Sequence, residues 1–314
     1  MSDHPIRTLM ANVSAAIFQH TVDPLLNIPN TISSVVLSAS SGSGDAPVIG
    51  AALGTLSSTM VTVVKAIGTA LKPTGYALCA LFFIISLLEL AMSERMTLEY
   101  FVKYFSKLAI GVAAVSLWDE IFDKVRDLGS ILSSFISDIP VGSDDPTASN
   151  TIDFQATFQE FVGTTGAGSW IMLIMASILF GAIFLFASFI VVGIVYVIAM
   201  TWLLEFCIRG AFLPIACALL SDDGWRGAGG RYIRKFLGVS CQGACMVAIG
   251  KLLSFGMVGA LDSVLSDFGG KSVTEDFSYF GELASMMTVF LALSIAGVSV
   301  MQKSASIVSD VFGG

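Results

Sequence analysis

Residues Thr201–Gly250 have the sequence TWLLEFCIRGAFLPIACALLSDDGWRGAGGRYIRKFLGVSCQGACMVAIG, and the rest of the chain is arranged around them. The stretch begins as a hydrophobic helix that carries Glu205 and Arg209, and it continues into an apolar segment interrupted by Pro214. A short basic loop follows, and then a second hydrophobic helix that is rich in small residues. Because proline lacks a backbone N–H and disrupts helical hydrogen bonding, the pattern predicts two apolar helices joined through a break and a polar loop.

The composition is typical of a membrane protein. The chain has 314 residues, of which 55% are hydrophobic and only 13% are charged, and its mean hydropathy is +0.83. Soluble domains carry about 25% charged residues, so the composition predicts an all-α, polytopic membrane protein. The net charge of −8 argues against nucleic-acid binding by simple electrostatics, although the distribution of charge matters more than its sum in a membrane protein.

The cysteines predict buried hydrophobic residues and no disulfide framework, because their number is odd and all five lie inside apolar runs. Cys241 and Cys245 are four residues apart on one helical face, a spacing that suits two metal ligands. Both histidines, His4 and His20, are distant from them near the N-terminus, whereas a metal site needs three or four convergent donors. We therefore expect neither a metal site nor a cofactor.

Five apolar runs approach the ~20 residues that a membrane-spanning helix needs. They are residues 74–92, 101–118, 169–196, 236–261 and 283–301. In the preceding segment, residues 1–71, hydrophobic residues recur at helical spacing, which predicts amphipathic helices that lie on the membrane or pack on a partner. Within it, residues 48–71 are apolar but contain Lys65, and the pattern leaves open whether they span.

The longest apolar run is Trp170–Leu220, with 51 residues. A straight helix of that length would extend about 76 Å at about 1.5 Å per residue, far beyond a hydrocarbon core of about 30 Å. No polar turn divides the run into two ordinary spans. The simplest solution is a long helix that continues to about Arg209 and breaks at Gly210 and Pro214, which leaves a short re-entrant or interfacial segment near residues 210–220.

The loops orient these spans. The loop 221–235 contains four basic residues, and the positive-inside rule places it in the cytoplasm. These residues are Arg226, Arg231, Arg234 and Lys235. The loops 136–168 and 262–282 are acidic, so we expect them outside, with an external N-terminus and a cytoplasmic C-terminus. Four basic side chains attract nucleic acid only weakly. Contact with a cytoplasmic partner or with anionic lipid is therefore the better expectation.

Four residues in the apolar helices are candidates for a role in a channel or in assembly: Glu205, Arg209, Pro214 and Lys251. Glu205 and Arg209 have the spacing of an ion pair within one helix. In one interpretation, the two charges only neutralise each other at the cytoplasmic boundary. In the other, Arg209 binds an adjacent subunit or lines a polar path. Lys251 lies well inside the fourth span, where an ionisable residue is a functional candidate unless Glu89 or a lipid headgroup satisfies it.

Catalysis is not expected. The apolar helices contain no histidine beside a serine or cysteine nucleophile, and no pair of aspartates at mid-span depth. The chain also has no Walker sequence. Small residues such as Ala244 and Ala248 recur four apart, which permits close approach of helices. We expect several copies to associate through the face 236–261 as a homo-oligomer.

Three segments resemble one family of membrane proteins. They are AFLPIA (Ala211–Ala216), GGRYIRKFLGVSCQGA (Gly229–Ala244) and MTLEYFVKYFSKLAIG (Met96–Gly111), the last followed by Trp118. Together they resemble the TrbL-like (VirB-six class) polytopic inner-membrane subunit of type IV secretion and conjugal transfer systems. The resemblance implies a channel component of the bacterial inner membrane without catalytic residues. It also implies work with cytoplasmic ATPases and a bitopic scaffold subunit to move DNA or protein.

Two other functions compete with this interpretation. A small-solute transporter would show an internal repeat with a second broken helix in the matching position, and the sequence has only the break near Gly210–Pro214. A purely structural membrane scaffold would never touch the transported substrate. Crosslinking to substrate distinguishes such a scaffold from a channel component.

Overall fold

The described part of the chain is all-helical. The computed structural model describes residues 12, 13, 16, 48–92, 98–139, 169–269 and 278–312, and no strand occurs among them. The helices are α1 (Val48–Met92), α2 (Leu98–Ser116), α3 (Trp118–Ser137), α4 (Ser169–Ala211), α5 (Leu213–Ala218), α6 (Leu220–Asp223), a 3₁₀ turn (Gly224–Arg226), α7 (Ala228–Gly269), α8 (Ser278–Gln302) and α9 (Ser304–Val311). The predicted N-terminal amphipathic helix and the acidic segment 140–168 lie almost entirely outside the described residues.

Helix α1 contains both the segment 48–71 and the predicted span 74–92. It is one helix of 45 residues that continues through Pro73, and its part Thr55–Met92 is long and apolar enough to cross a membrane. Proline inside a helix removes one hydrogen bond and crowds the preceding turn. Here α1 packs against α2 and α5, with Gly75 in close contact with both. Tertiary packing on both sides therefore offsets the local cost of the proline.

The predicted span 101–118 belongs to a bent pair of helices. Helices α2 and α3 meet at Leu117 with a bend of 65°, and they qualify as a membrane span only when taken together. Helix α3 is amphipathic and buries Phe122 and Val125 on its apolar side. Helix α2 therefore contains most of the predicted span 101–118 and is one half of a candidate broken span.

The break expected near residues 210–220 is confirmed. Helix α4 ends at Ala211, Phe212 is the N-cap of α5, and α6 and the 3₁₀ turn follow in quick succession. Gly224 has a φ of +63°, in the left-handed region that favours glycine. This residue ends α6 and turns the chain toward α7.

The predicted basic loop 221–235 is shorter than expected, because α7 begins at Ala228. Only Arg226 precedes the helix, in the 3₁₀ turn. Three of the four basic residues lie near the start of α7: Arg231, Arg234 and Lys235. Gly230 permits the early start, since a Cβ atom at this position would collide with the backbone of Trp225. The glycines that suggested a loop instead allow α7 to begin against the preceding turn.

The last predicted span, 283–301, lies within α8. At Lys303 the chain bends by 43° and continues as the short helix α9, which buries Ser304 and Val308. The part of α8 from Leu291 counts as a candidate span only together with α9. The C-terminal residues are therefore a packed helix rather than a tail.

The described helices define a multi-pass membrane protein. Three segments are long and apolar enough to cross a membrane, and the number rises to five if each bent pair is one span. The three are Thr55–Met92, Leu185–Ala211 and Ala228–Leu253. The five crossings expected from the sequence are the upper end of this range.

The chain divides into two compact units. The first comprises residues 1–33, 138–197 and 248–302, and the second comprises 34–137, 198–247 and 303–314. In the first unit, Gly297 lies directly against the side chain of Leu253, where a Cβ atom would approach Leu253 Cδ2 to 2.7 Å. Helices α7 and α8 therefore pack closely at this point.

The core of the second unit is aromatic. The ring of Phe122 lies 5.4 Å from that of Phe206 and 6.0 Å from that of Phe236, and the last two rings stack 5.1 Å apart. Trp118 is buried beside them. Each aromatic pair contributes about 0.5–1.5 kcal/mol beyond its buried area. The cluster joins α3, α4 and α7 and so fixes the surroundings of the central stretch.

Candidate functional site

Glu205 and Arg209 form the ion pair that their spacing predicts. Arg209 Nη2 lies 2.5 Å from Glu205 Oε1, and the two side chains are 30% and 36% exposed, respectively. Both residues lie in the last two turns of α4. The guanidinium charge is therefore balanced within its own helix, close to the end of a candidate span.

Two hydrogen bonds tie this end of α4 to α7. Tyr232 Oη donates to the backbone carbonyl of Arg209 at 2.8 Å, which satisfies one of the carbonyls that a helix end leaves without an intrahelical partner. The indole Nε1 of Trp202 donates to the carbonyl of Val239 at 2.7 Å. The ion pair is thus held on a rigid support.

Pro214 has a structural position. It is buried in the first turn of α5, where a helix needs no N–H donor, so its ring fits without loss of a hydrogen bond. A Cβ atom at Gly75 would lie 3.1 Å from the carbonyl oxygen of Pro214. Pro214 therefore starts the short helix after the break.

The four basic residues of segment 221–235 differ in their surroundings. Arg226 and Arg231 are exposed. Arg234 is tied to the chain around it, since its guanidinium donates to the carbonyls of Gly230 and Trp225 at 3.4 Å each. Lys235 alone lines the cleft beside Glu205 and Arg209, which also involves α9.

Lys251 belongs to the other compact unit. Its Nζ donates to the carbonyl of Ile139, in the same unit, at 2.9 Å. Lys251 lies near the end of the apolar part of α7, which extends to Leu253.

Three lysines that the sequence analysis did not select hold the second unit together. Lys65 forms a 2.7 Å ion pair with Asp123. Lys72 and Lys107 donate to backbone carbonyls of Ser116 and Asp222, respectively, at the ends of α2 and α6. Each of them was visible in the sequence only as a lysine on a largely apolar helix. The partners are 44 to 115 residues away in the chain, so spacing gave no hint of them.

A cleft with several polar side chains lies next to the ion pair. It has a volume of about 300 Å³ and is lined by α4, the first half of α7 and α9. Its polar side chains are Glu205, Arg209, Lys235, Gln242, Ser306 and Ser309. Phe312 lines it at the end of α9. The cleft therefore combines charged and hydroxyl groups in one place.

Metal binding has no support in the described part of the chain, where no group of three or more histidine, cysteine or acidic side chains is arranged to hold an ion. The five cysteines are free thiols. In α5, burial raises the pKa of the Cys217 thiol to about 12, with the nearby Cys79 as a smaller cause. Cys217 is therefore a neutral, buried side chain.

No family model, curated protein or solved structure matches this chain. The fold and the candidate site define its class as a helical multi-pass membrane protein with a broken helix between two of its candidate spans.

Proposed function

We propose that the chain is an inner-membrane component of a type IV secretion or conjugation machine, where it helps to move DNA or protein across the cytoplasmic membrane. The proposal combines the resemblance of segments 96–111, 211–216 and 229–244 with their positions in the folded chain. Segment 96–111 is distant in sequence from the other two, yet all three belong to the second compact unit.

Close contacts made by these segments support the proposal. A Cβ atom on Gly229 would lie 2.6 Å from the carbonyl oxygen of Ala216, so the second and third of these segments meet backbone to backbone. Gly111, in the first segment, lies against Ser221, just after α5. Segments 211–216 and 229–244 therefore pack against each other, and the last residue of segment 96–111 packs against α6 beside them.

A role as a component of a larger machine suits the chemistry of this part of the second unit. Tyr232 donates to the carbonyl of Arg209, and Trp202 donates to the carbonyl of Val239, so both donors are used within the chain. Energy for transport then comes from cytoplasmic ATPases, and a bitopic scaffold subunit is the second expected partner. With the C-terminus in the cytoplasm and the N-terminus outside, the exposed Arg226 and Arg231 face a cytoplasmic partner or anionic lipid.

Assembly into a homo-oligomer is part of the proposal. The first half of the predicted contact face, 236–261, is used inside the chain, since Phe236 and Val247 are both fully buried. Further along α7, Leu252 is 73% exposed and Phe255 is 61% exposed. Contact between copies therefore uses these later residues.

The experiment is a transfer assay in a strain that lacks this gene, with insertion of each variant into the membrane measured in parallel. Deletion is expected to abolish transfer, and the wild-type chain is expected to restore it. Arg209→Ala and Lys251→Ala are compared with Gly193→Ala, whose new Cβ meets nothing within 4 Å. Normal transfer in the deletion strain would refute the proposal. Loss of uptake of a small solute with intact transfer would favour a solute transporter.

A further inference from the structure

Helices α1 and α2 form a hairpin in the second unit. They pack against each other, and Leu90 lines a groove with Leu98 and Phe101 where α1 ends and α2 begins. The chain passes from one helix to the other there, so Met92 and Leu98 form the closed end of the hairpin. The open end is near Gly75, on the other side of the apolar part of α1.

The open end of the hairpin packs against the break that follows α4. A Cβ atom at Gly75 would lie 3.1 Å from the carbonyl oxygen of Pro214, and one at Gly111 would lie 2.7 Å from Ser221 Cβ. Both α1 and α2 therefore meet α5 and α6 at this end. The open end of the hairpin and the segment 212–227 are thus at the same level of the second unit.

The segment 212–227 is at one face of the membrane. It joins the ends of two candidate spans, Leu185–Ala211 and Ala228–Leu253. The ion pair of Glu205 and Arg209 is next to it, at the end of the first of these spans. Because charged groups are costly in hydrocarbon, this level belongs to the boundary between membrane and water. The open end of the hairpin is therefore at the same boundary.

Beyond the open end, α1 continues as an apolar helix with the length of a membrane crossing. No charged residue occurs in residues 73–88. The side chains of Leu81 and Ile84 are 50% and 56% exposed, as suits a surface in contact with lipid. From Gly75 to Met92 the helix rises about 26 Å at about 1.5 Å per residue, close to the thickness of a hydrocarbon core of about 30 Å.

The charged residues of the hairpin lie toward its two ends. Glu89 is in the last turn of α1, and Glu99 and Lys103 are in the first two turns of α2, so all three are near the closed end. Long side chains at such positions can reach the membrane surface. Lys107 donates instead to the carbonyl of Asp222, in α6, and is thus held toward the open end. The middle of α1 is therefore uncharged between two charged ends, which is the pattern of a membrane-spanning helix.

We infer that the hairpin crosses the membrane and that its closed end, at Met92 and Leu98, is on the face opposite to the segment 212–227. The arrangement expected from the sequence, an external N-terminus and a first crossing at residues 74–92, would instead bring the closed end to the same face as that segment. An external N-terminus therefore needs a further crossing before Lys72. This orientation of the hairpin does not depend on the proposed role in secretion.

Single cysteines in the full-length chain test this orientation. Met92→Cys and Leu98→Cys probe the closed end, where the native side chains are 84% and 82% exposed, and Trp225→Cys marks the face of the segment 212–227. Each variant is treated with a membrane-impermeant thiol reagent in intact cells with a permeabilised outer envelope and in inverted vesicles. The wild-type chain gives the background from its five native cysteines. Met92→Cys and Leu98→Cys should be labelled in the preparation that protects Trp225→Cys and protected in the other.

Thr74→Cys is the matched control, because Thr74 is exposed at the open end of the hairpin on the same helix as Met92. It should be labelled only in the preparation that labels Trp225→Cys. Labelling of Met92→Cys and Trp225→Cys in the same preparation would overturn the inference, and so would protection of both closed-end variants in both preparations. Labelling of Thr74→Cys together with Met92→Cys would also overturn it, since α1 would then not cross the membrane between them. Labelling needs no transport activity, so its outcome is separate from that of the transfer assay.

Discussion

The ion pair between Glu205 and Arg209 is a weak contributor to stability, because each side chain is about one-third exposed. Pairs of this kind at i,i+4 spacing contribute about 0.3–0.5 kcal/mol. Arg209→Ala is therefore expected to lower the free energy of unfolding by less than about 1 kcal/mol, as measured by denaturation in detergent. The double variant Glu205→Ala/Arg209→Ala should lower the free energy of unfolding by a similar amount. A loss above about 3 kcal/mol for Arg209→Ala alone would mean that it leaves a buried charge uncompensated.

Gly210 is under tight steric constraint. A Cβ atom there would collide with the ring of Phe122 and lie 3.4 Å from Val64 Cγ1. Gly210→Ala should therefore destabilise the protein by about 1–3 kcal/mol, the usual cost of overpacking. Gly193→Ala, in the same helix, is the control and should be neutral or stabilising by up to about 1 kcal/mol, because alanine is the better helix former. Melting temperatures in detergent that fall equally for both variants would contradict this packing.

Single residues differ in how much of their environment the sequence could predict. The pair of Glu205 and Arg209 was predictable because both partners lie one helical turn apart. The pair of Lys65 and Asp123 joins residues 58 positions apart, so it depends on how α1 and α3 pack. The hydrogen bond from Gln242 Nε2 to Ser304 Oγ could not be predicted either, since it forms only when α9 packs against α7.

Pro73 provides a test at the scale of a helix. If α1 is continuous, Pro73→Ala restores the N–H of residue 73 and removes the clash with the preceding turn, a local cost of about 3 kcal/mol. We expect the variant to be more stable than the wild type, as shown by a higher melting temperature in detergent. Pro214→Ala is the control and should bring no such gain, because Pro214 is in the first turn of α5. A lower melting temperature for Pro73→Ala would contradict the continuous helix.

The presence of the helices was predictable from the sequence, but their boundaries were less so. The break near residues 210–220 followed from the length of an apolar run compared with the thickness of a bilayer, a constraint that holds whatever the tertiary contacts. The boundaries of α1 and α7 were not predictable, because the local preferences of proline and glycine indicate the ends of helices. In the folded chain, packing around Gly75 and Gly230 determines whether the helix continues.

The topology of the whole molecule can be tested by single cysteines introduced at exposed sites. We expect Trp225→Cys and Ser309→Cys to be protected from a membrane-impermeant thiol reagent in intact cells with a permeabilised outer envelope, and labelled in inverted vesicles. Asp145→Cys, in the acidic segment, should show the opposite result. Trp225 and Ser309 are both exposed in the folded chain, so protection would reflect the membrane. Labelling of Trp225→Cys from outside would contradict a cytoplasmic basic segment.

At the scale of the whole molecule, the proposal that the chain helps to move DNA or protein across the membrane predicts contact with the transported substrate. Its most direct test is a photoreactive amino acid at Trp225, which is 65% exposed beside the break, with crosslinked substrate recovered during active transfer. The matched control is the same amino acid at Leu88, which is 57% exposed on the apolar surface of α1. We predict substrate crosslinks from Trp225 that depend on the cytoplasmic ATPases, and none from Leu88. Active transfer without crosslinks from Trp225, or crosslinks that form equally from Leu88, would contradict the account.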